Sequence, residues 1–186
     1  MQIAPPHVAL VGLPGAGKTT VGQLAAATLG VPFVDLDAEL VARTGLSVAD
    51  QFARDGEAAF RAAEAALSHE LATTPPAILA PGGGWMSNPA ARAALATRTR
   101  TIHLRVSPTV AAARLAHDPV VRPLVAATSD PASTLDALLT RRRSAYAATD
   151  AEIDTDHRSP HEVATLVVQL VEQWTPPHAR HADAAA

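Results

Sequence analysis

One stretch, Gly12-Leu13-Pro14-Gly15-Ala16-Gly17-Lys18-Thr19-Thr20, restricts the folds open to this chain more than any other. It follows His7-Val8-Ala9-Leu10-Val11, which reads as a short buried strand, and precedes an alanine-rich helical run to about Leu29. Gly12, Gly17, Lys18 and Thr19 fall on the pattern G-x-x-x-x-G-K-[S/T]. Between a strand and a helix, such a loop turns successive backbone N–H groups toward an anion at the helix N-terminus. Lys18 is then placed for the β- and γ-phosphates of a nucleoside triphosphate, and the Thr19 hydroxyl for Mg²⁺. The arginine bias of the chain sharpens the point: among its 15 Lys and Arg residues a single one, Lys18, is lysine. The pattern establishes a triphosphate site. It does not by itself separate a kinase from an ATPase, a GTPase or a binding module.

The remaining chain suits one α/β domain. At 186 residues it can bury a sizeable core, and with 48% apolar but only 3% aromatic residues that core is aliphatic. Segments with strand character at 33–37, 77–80, 101–106 and 151–154 alternate with helical segments at about 38–44, 47–72, 89 onward, 108–116, 133–148 and 160–173. This alternation predicts a parallel sheet covered on both faces, with functional groups at the carboxyl ends of its strands. Gly30, Gly45 and Gly56 mark helix ends or a break, and Ser47-Val48-Ala49-Asp50 has the form of an N-terminal capping box. Residues 117–131 carry prolines and no periodicity and read as a mobile loop, while 175–186 read as a disordered tail outside a domain spanning 1–174.

Composition also removes whole classes of function. A formal net charge of −3 speaks against a nucleic-acid footprint. The absence of cysteine excludes disulfides and thiolate chemistry. No apolar run approaches the roughly 18 residues of a membrane span. The N-terminal residues have neither the basic start nor the apolar run of a secretion signal, so a cytoplasmic protein is expected. His157 and His161 have Pro160 between them and no carboxylate cluster around them, which disfavours a histidine metal site, and His103 reads as a hydrogen-bonded core residue.

Asp35 and Asp37 stand two apart at the end of the second predicted strand. If the strand persists that far, both face one side. One could then serve Mg²⁺ through water and the other bind and deprotonate a hydroxyl. Equally, both could cap the following helix. Arg61 and Arg142 offer bidentate partners for a carboxylate, and Arg122 in the 117–131 loop could close over phosphates. Each alone is also compatible with a solvated surface arginine. The oddest passage is Ala80-Pro81-Gly82-Gly83-Gly84-Trp85-Met86, where three bare residues meet a large indole.

In order along the chain, VGLPGAGKTT, FVDLDAELVARTGLSVADQFARDGEAAFRAAE, GGG, RPLV and RRRSAY resemble the shikimate kinase family over about residues 8–155. The resemblance implies a three-layer P-loop kinase fold with a five-stranded parallel sheet flanked by helices, plus a mobile lid at about 117–131. It implies ATP- and Mg²⁺-dependent phosphorylation of the shikimate 3-hydroxyl by a monomer that needs neither nucleic acid nor a membrane. By position, Asp37 would hold the acceptor hydroxyls and act as base. Arg61 and Arg142 would bind the acceptor carboxylate, with Gly82, Gly83 and Gly84 lining that pocket in an acceptor region of about 35–72 and beyond. Gly12, Pro14, Gly15, Ala16, Gly17, Lys18, Thr19, Thr20 and Arg122 would hold ATP, with Lys18 and Arg122 stabilising the transferred group. Thr19 would ligate Mg²⁺, with Asp35 acting through water. Arg114 is a candidate neighbour of the adenine. Arg142 stands four residues before Tyr146, as the family pattern requires.

The chain departs from that pattern after the glycines, where the family usually has Ala-Val and this chain has Trp85-Met86. It also has Ala80-Pro81 where a Ser or Thr hydroxyl is common. Trp85 can be a packing residue under the glycine loop, or it can reshape the acceptor pocket for another small hydroxylated acid. A non-catalytic nucleotide-binding regulator is disfavoured by the surviving Lys18, Asp37, Arg61, Arg122 and Arg142, since a binding module needs no acceptor clamp.

Overall fold

The structure is a computed structural model and describes residues 6–117 and 128–174. Five strands form one sheet: β1 (His7–Val11), β2 (Phe33–Asp35), β3 (Ile78–Ala80), β4 (Thr99–Arg105) and β5 (Ala151–Asp154). Their spatial order is β2-β3-β1-β4-β5, and every pairing is parallel. β1 lies in the middle, with Val8 opposite both Ile78 and Arg100. Among the described residues seven α-helices cover this sheet: α1 (Lys18–Leu29), α2 (Leu36–Thr44), α3 (Val48–Leu71), α4 (Pro89–Leu95), α5 (Pro108–Leu115), α6 (Pro131–Ala147) and α7 (Pro160–Trp174). None of them is long and apolar enough to cross a membrane.

Strand geometry divides the core. Successive β1 side chains alternate between faces. Val8 and Leu10 join a cluster with Val21, Ala25, Ala111, Leu135, Val163 and Val167, from α1, α5, α6 and α7. Ala9 and Val11 join the opposite cluster with Leu36, Leu40, Phe60, Leu67, Ala91 and Leu95, from α2, α3 and α4. This two-sided burial is why the central strand shows no polar alternation. Small residues on α1 allow close approach: a Cβ on Gly22 would lie 2.5 Å from a Phe33 ring carbon.

Local signals hold in detail. Asn88, Ser107 and Asp130 each cap a helix through the side chain, and proline follows each of them. Ser47 accepts from the Asp50 N–H and its hydroxyl donates to the Asp50 carboxylate at 2.6 Å. Gly56, with φ 81 and ψ 167, interrupts α3 where a break was expected. Several boundaries differ by a residue or two, β4 starting at Thr99 rather than 101 among them, and two of the shifts have a local cause. The second strand ends at Asp35, and α2 begins at Leu36, because the Asp35 carboxylate accepts the Ala38 N–H and caps the helix. Asp37 therefore sits in a first helical turn, and the two-residue strand period does not relate it to Asp35. α6 begins at Pro131, two residues earlier than its periodicity suggested, because Asp130 caps it. Most of the expected lid, residues 118–127, and the expected tail, 175–186, lie outside the described residues.

His7 is fully buried at the start of β1, where its Nδ1 accepts the Ala77 N–H at 3.1 Å. Burial pushes its imidazole below the ordinary value, with the Leu71 backbone opposing this and Arg98 adding to it. His103 is likewise lowered by burial, against the pull of Glu152. Between the folded and unfolded pKa values the unfolded chain binds more protons, so stability is complete above about pH 6.5 and falls as pH drops. His7→Asn keeps an acceptor for Ala77 but cannot titrate. Urea midpoints at pH 7.5 and 5.5 are expected to differ less in this variant than in the parent, and an equal difference would remove His7 from the account.

Candidate active site

The phosphate loop leaves the carboxyl end of β1 and runs into α1, whose N-cap is Gly17. Lys18 Nζ folds back over its own loop and donates to the carbonyls of Gly12 at 3.1 Å and Leu13 at 3.0 Å. Gly15 has φ 80, and a Cβ there would lie 2.8 Å from the Ala111 carbonyl, so the loop rests directly on α5. Arg114 from α5 ties this side together. It donates to the Gly15 carbonyl at 3.3 Å, to the Thr155 hydroxyl at 3.1 Å and to the Thr155 carbonyl at 2.5 Å. Thr19 Oγ1 donates to Asp35 Oδ2 at 3.0 Å, which places a hydroxyl and a carboxylate side by side next to the loop.

A cavity of about 1250 Å³ runs from this loop to the glycine run. Its walls include Pro14 through Thr20, Asp35, Asp37, Arg61, Gly82, Gly83, Gly84, Arg114 and Arg142. Candidates from six separate segments thus meet in one space. Gly12 stands behind the wall as the acceptor for Lys18, and Arg122 lies outside the described residues.

The three glycines, which line the cavity as expected, also have a reason within the protein: each makes room for one charged side chain. A Cβ on Gly82 would collide with the Asp37 carboxylate, one on Gly83 would lie 2.6 Å from Arg142 Nη1, and one on Gly84 would collide with the Arg61 guanidinium. Consecutive Cα atoms are about 3.8 Å apart. One carboxylate and two guanidiniums are therefore stacked in a row along a few ångströms of bare chain.

Packing around them is specific. Arg61 stands over the rings of Phe52 and Phe60, 5.7 and 5.5 Å from their centroids. Its Nη1 donates to Glu64 at 3.0 Å, and that carboxylate is buried. Arg142 lies beside the Tyr146 phenol, whose pKa burial raises and the guanidinium draws down. The Tyr146 ring stacks on His103 at 4.4 Å, and His103 Nδ1 meets Glu152 at 2.9 Å. His103 is the hydrogen-bonded core residue that its strand position suggested.

Trp85 is 2% exposed and does not line the cavity. Its indole N–H donates to Ser68 Oγ at 3.0 Å, and Ser68 in turn donates to the Glu64 carbonyl at 2.8 Å. The ring fills the second core beside Leu67, Leu71, Leu95 and Tyr146. The packing reading of Trp85 holds, and the pocket-reshaping one does not. The Trp85 backbone N–H donates to the Gly82 carbonyl at 3.0 Å and leads into a 3₁₀ turn, Trp85–Ser87.

Sequence reasoning did not single out Glu64, Phe52, Phe60, Asn88, Thr155 or Arg158, all of which line or brace the cavity. Glu64 had a signal, since it lies three residues after Arg61 on a helix. Thr155 and Arg158 lie just past the carboxyl end of β5, where functional groups gather in such sheets. The aromatic pair carried no signal separable from core packing. Trp85→Phe removes the indole donor but keeps most of the volume. It is expected to lower stability by about 1–2 kcal/mol in denaturant unfolding, and a change below about 0.3 kcal/mol would show that the Ser68 bond contributes nothing.

Comparison with known proteins identifies the family. The family model described as shikimate kinase matches residues 14–172. A shikimate kinase of Thermobifida fusca is 40% identical over 165 residues, covering 88% of this chain and 94% of the relative. One from Mycobacterium avium is 39% identical over 164 residues, covering 88% and 92%. Among solved structures, shikimate kinase from Acinetobacter baumannii in complex with shikimate superposes with a TM-score of 0.82 at 32% identity, covering 90% of this chain and 93% of that one. The chain, with its phosphate loop, five-stranded parallel sheet and charged glycine floor, belongs to the shikimate kinase family.

Proposed function

We propose that this protein transfers the γ-phosphoryl group of ATP to the 3-hydroxyl of shikimate, giving shikimate 3-phosphate and ADP. The observation that carries the proposal is the row of Asp37, Arg142 and Arg61 over Gly82–Gly84, in the same cavity as the phosphate loop. Two guanidiniums suit the carboxylate of the acceptor, each able to pair with it bidentately. The adjacent Asp37 carboxylate suits its hydroxyls. In the transfer, the acceptor oxygen forms a bond to the γ-phosphorus while the bond from phosphorus to the bridging oxygen of ADP breaks, and the hydroxyl proton passes to Asp37.

The loop from Pro14 to Thr20 holds the triphosphate through its backbone N–H groups, and Lys18 turns from its carbonyl partners toward the β- and γ-phosphates. Thr19 and Asp35 offer hard oxygen donors 3.0 Å apart beside that loop, a set that fits Mg²⁺ completed by phosphate oxygens and water. Bound there, Mg²⁺ neutralises charge on the phosphate oxygens. Arg122 is assigned to the transferred group from a lid at about 117–131, and acceptor binding is assigned to about 35–72 together with the glycine run and Arg142. We assign the reaction to a monomer acting in the cytoplasm, where ATP is available. Another acceptor acid was motivated by Trp85 and Pro81; the burial of Trp85 away from the cavity removes the first motive, while Pro81 stands on the cavity wall.

Coupled ATP turnover with Mg²⁺ tests the reading directly. Shikimate is expected to stimulate turnover with saturation between about 1 μM and 1 mM. Negligible stimulation in a protein that binds ATP would overturn the acceptor. Lys18→Ala is expected to lower kcat by about 10²-fold or more with the fold intact. Gly83→Ala pushes on the far end of a flexible arginine rather than on backbone, so it is expected to raise the shikimate KM about tenfold while leaving the ATP KM and the melting temperature near their parent values. An equal change for both substrates would make Arg142 structural.

A further inference from the structure

We propose that Asn88 is a positioning residue for Arg61, tying the acceptor-side guanidinium to the glycine floor beneath it. This rests on the reading of Arg61 as an acceptor-binding group.

Asn88 uses its whole amide. Nδ2 donates to Glu64 Oε2 at 2.9 Å and to the Arg61 carbonyl at 2.9 Å, while Oδ1 accepts the Ala91 N–H at 3.3 Å and caps α4. The two ends are not interchangeable, because a carboxylate and a carbonyl need the NH₂ group and a backbone N–H needs the oxygen. Glu64 is fully buried, and a buried carboxylate needs close donors. Its Oε2 receives two, Arg61 Nη1 at 3.0 Å and Asn88 Nδ2. Among the described residues none hydrogen-bonds Oε1. Asn88 therefore supplies half of the compensation that holds Glu64 in place, and Glu64 holds one arm of Arg61.

The backbone of Asn88 completes the link. Its N–H donates to the Trp85 carbonyl at 2.9 Å, in the turn that also bonds Trp85 to Gly82 at 3.0 Å and Ser87 to Gly84 at 2.9 Å. Gly84 is the residue whose missing side chain makes room for the Arg61 guanidinium. One residue, through its side chain above and its backbone N–H below, thus links the arginine to its floor. A helix cap alone would need only Oδ1, and the two Nδ2 bonds have no part in capping.

Two variants separate the roles, because serine and aspartate are both good N-caps. Asn88→Ser keeps the cap and loses both Nδ2 bonds. Asn88→Asp keeps the cap and sets a second carboxylate against Glu64. Steady-state kinetics with shikimate and ATP, thermal melting, and Arg61→Ala in parallel form the experiment. The shikimate KM is expected to rise about fivefold in Asn88→Ser and about twentyfold or more in Asn88→Asp, with the ATP KM unchanged. A cap-only role predicts Asn88→Asp equal to the parent in both KM values, and that result overturns the proposal. Loss of melting temperature with parallel rises in both KM values overturns it as well, since it marks a general structural role. If Arg61→Ala leaves the shikimate KM unchanged, the acceptor reading itself has failed. If Arg61→Ala raises it and neither Asn88 variant does, only the positioning role has failed.

Discussion

β1 is hydrogen-bonded on both edges and packed on both faces, and the site depends on that confinement. Its parallel pairing with β3 sets Val8 against Ile78 and Ala9 against Leu79. The strands leave the sheet in the same direction, so the phosphate loop after Val11 and the glycine run after Ala80 emerge side by side. β2 pairs with β3 in the same sense, and Asp35 comes level with Ala80. Parallel order therefore brings three chain segments far apart in sequence to one edge. Hydrogen-bond register places them more firmly there than any side-chain contact could.

On that edge the limiting resource is space. A cavity serving a polyanionic donor and an anionic acceptor needs several charged side chains close together, each held in a single rotamer. The floor at Gly82–Gly84 resolves this by omission: with no Cβ, three charged groups pack down onto backbone in a row. Their supports then lie below and beside them. Phe52, Phe60 and Glu64 brace Arg61, and Tyr146 stacked on His103 backs Arg142. Trp85 belongs to this support. The residue directly after a side-chain-free floor can turn straight down into the core, and an indole fills that volume while its N–H finds Ser68. Bare glycine and bulky tryptophan are the two faces of one layer.

Much of the candidate site was legible because its signals are local. The phosphate loop is a contiguous pattern whose geometry follows from glycine freedom at the start of a helix. Helix ends at Gly30, Gly45, Asn88 and Ser107 follow from capping chemistry within a few residues. Asp35 and Asp37 show the limit of such reasoning. Whether a strand continues for two more residues depends on competition between its ladder and a cap at Ala38, and the cap wins. The contact between Glu64 and Asn88 was harder still: it spans 24 positions of sequence, and although Arg61 three residues earlier marks Glu64, nothing local marks Asn88 as its second partner.

By itself the sequence determined the alternation of strands and helices, the triphosphate loop, and the set of charged residues available to a second substrate, because each is carried by neighbours along the chain. Only the tertiary structure decided which charge lies over which glycine, which way Trp85 turns, and how Arg61 is held. Those outcomes depend on volumes and hydrogen-bond partners contributed by α3, α4, α6 and the glycine loop together, and no single segment contains the information to choose among them.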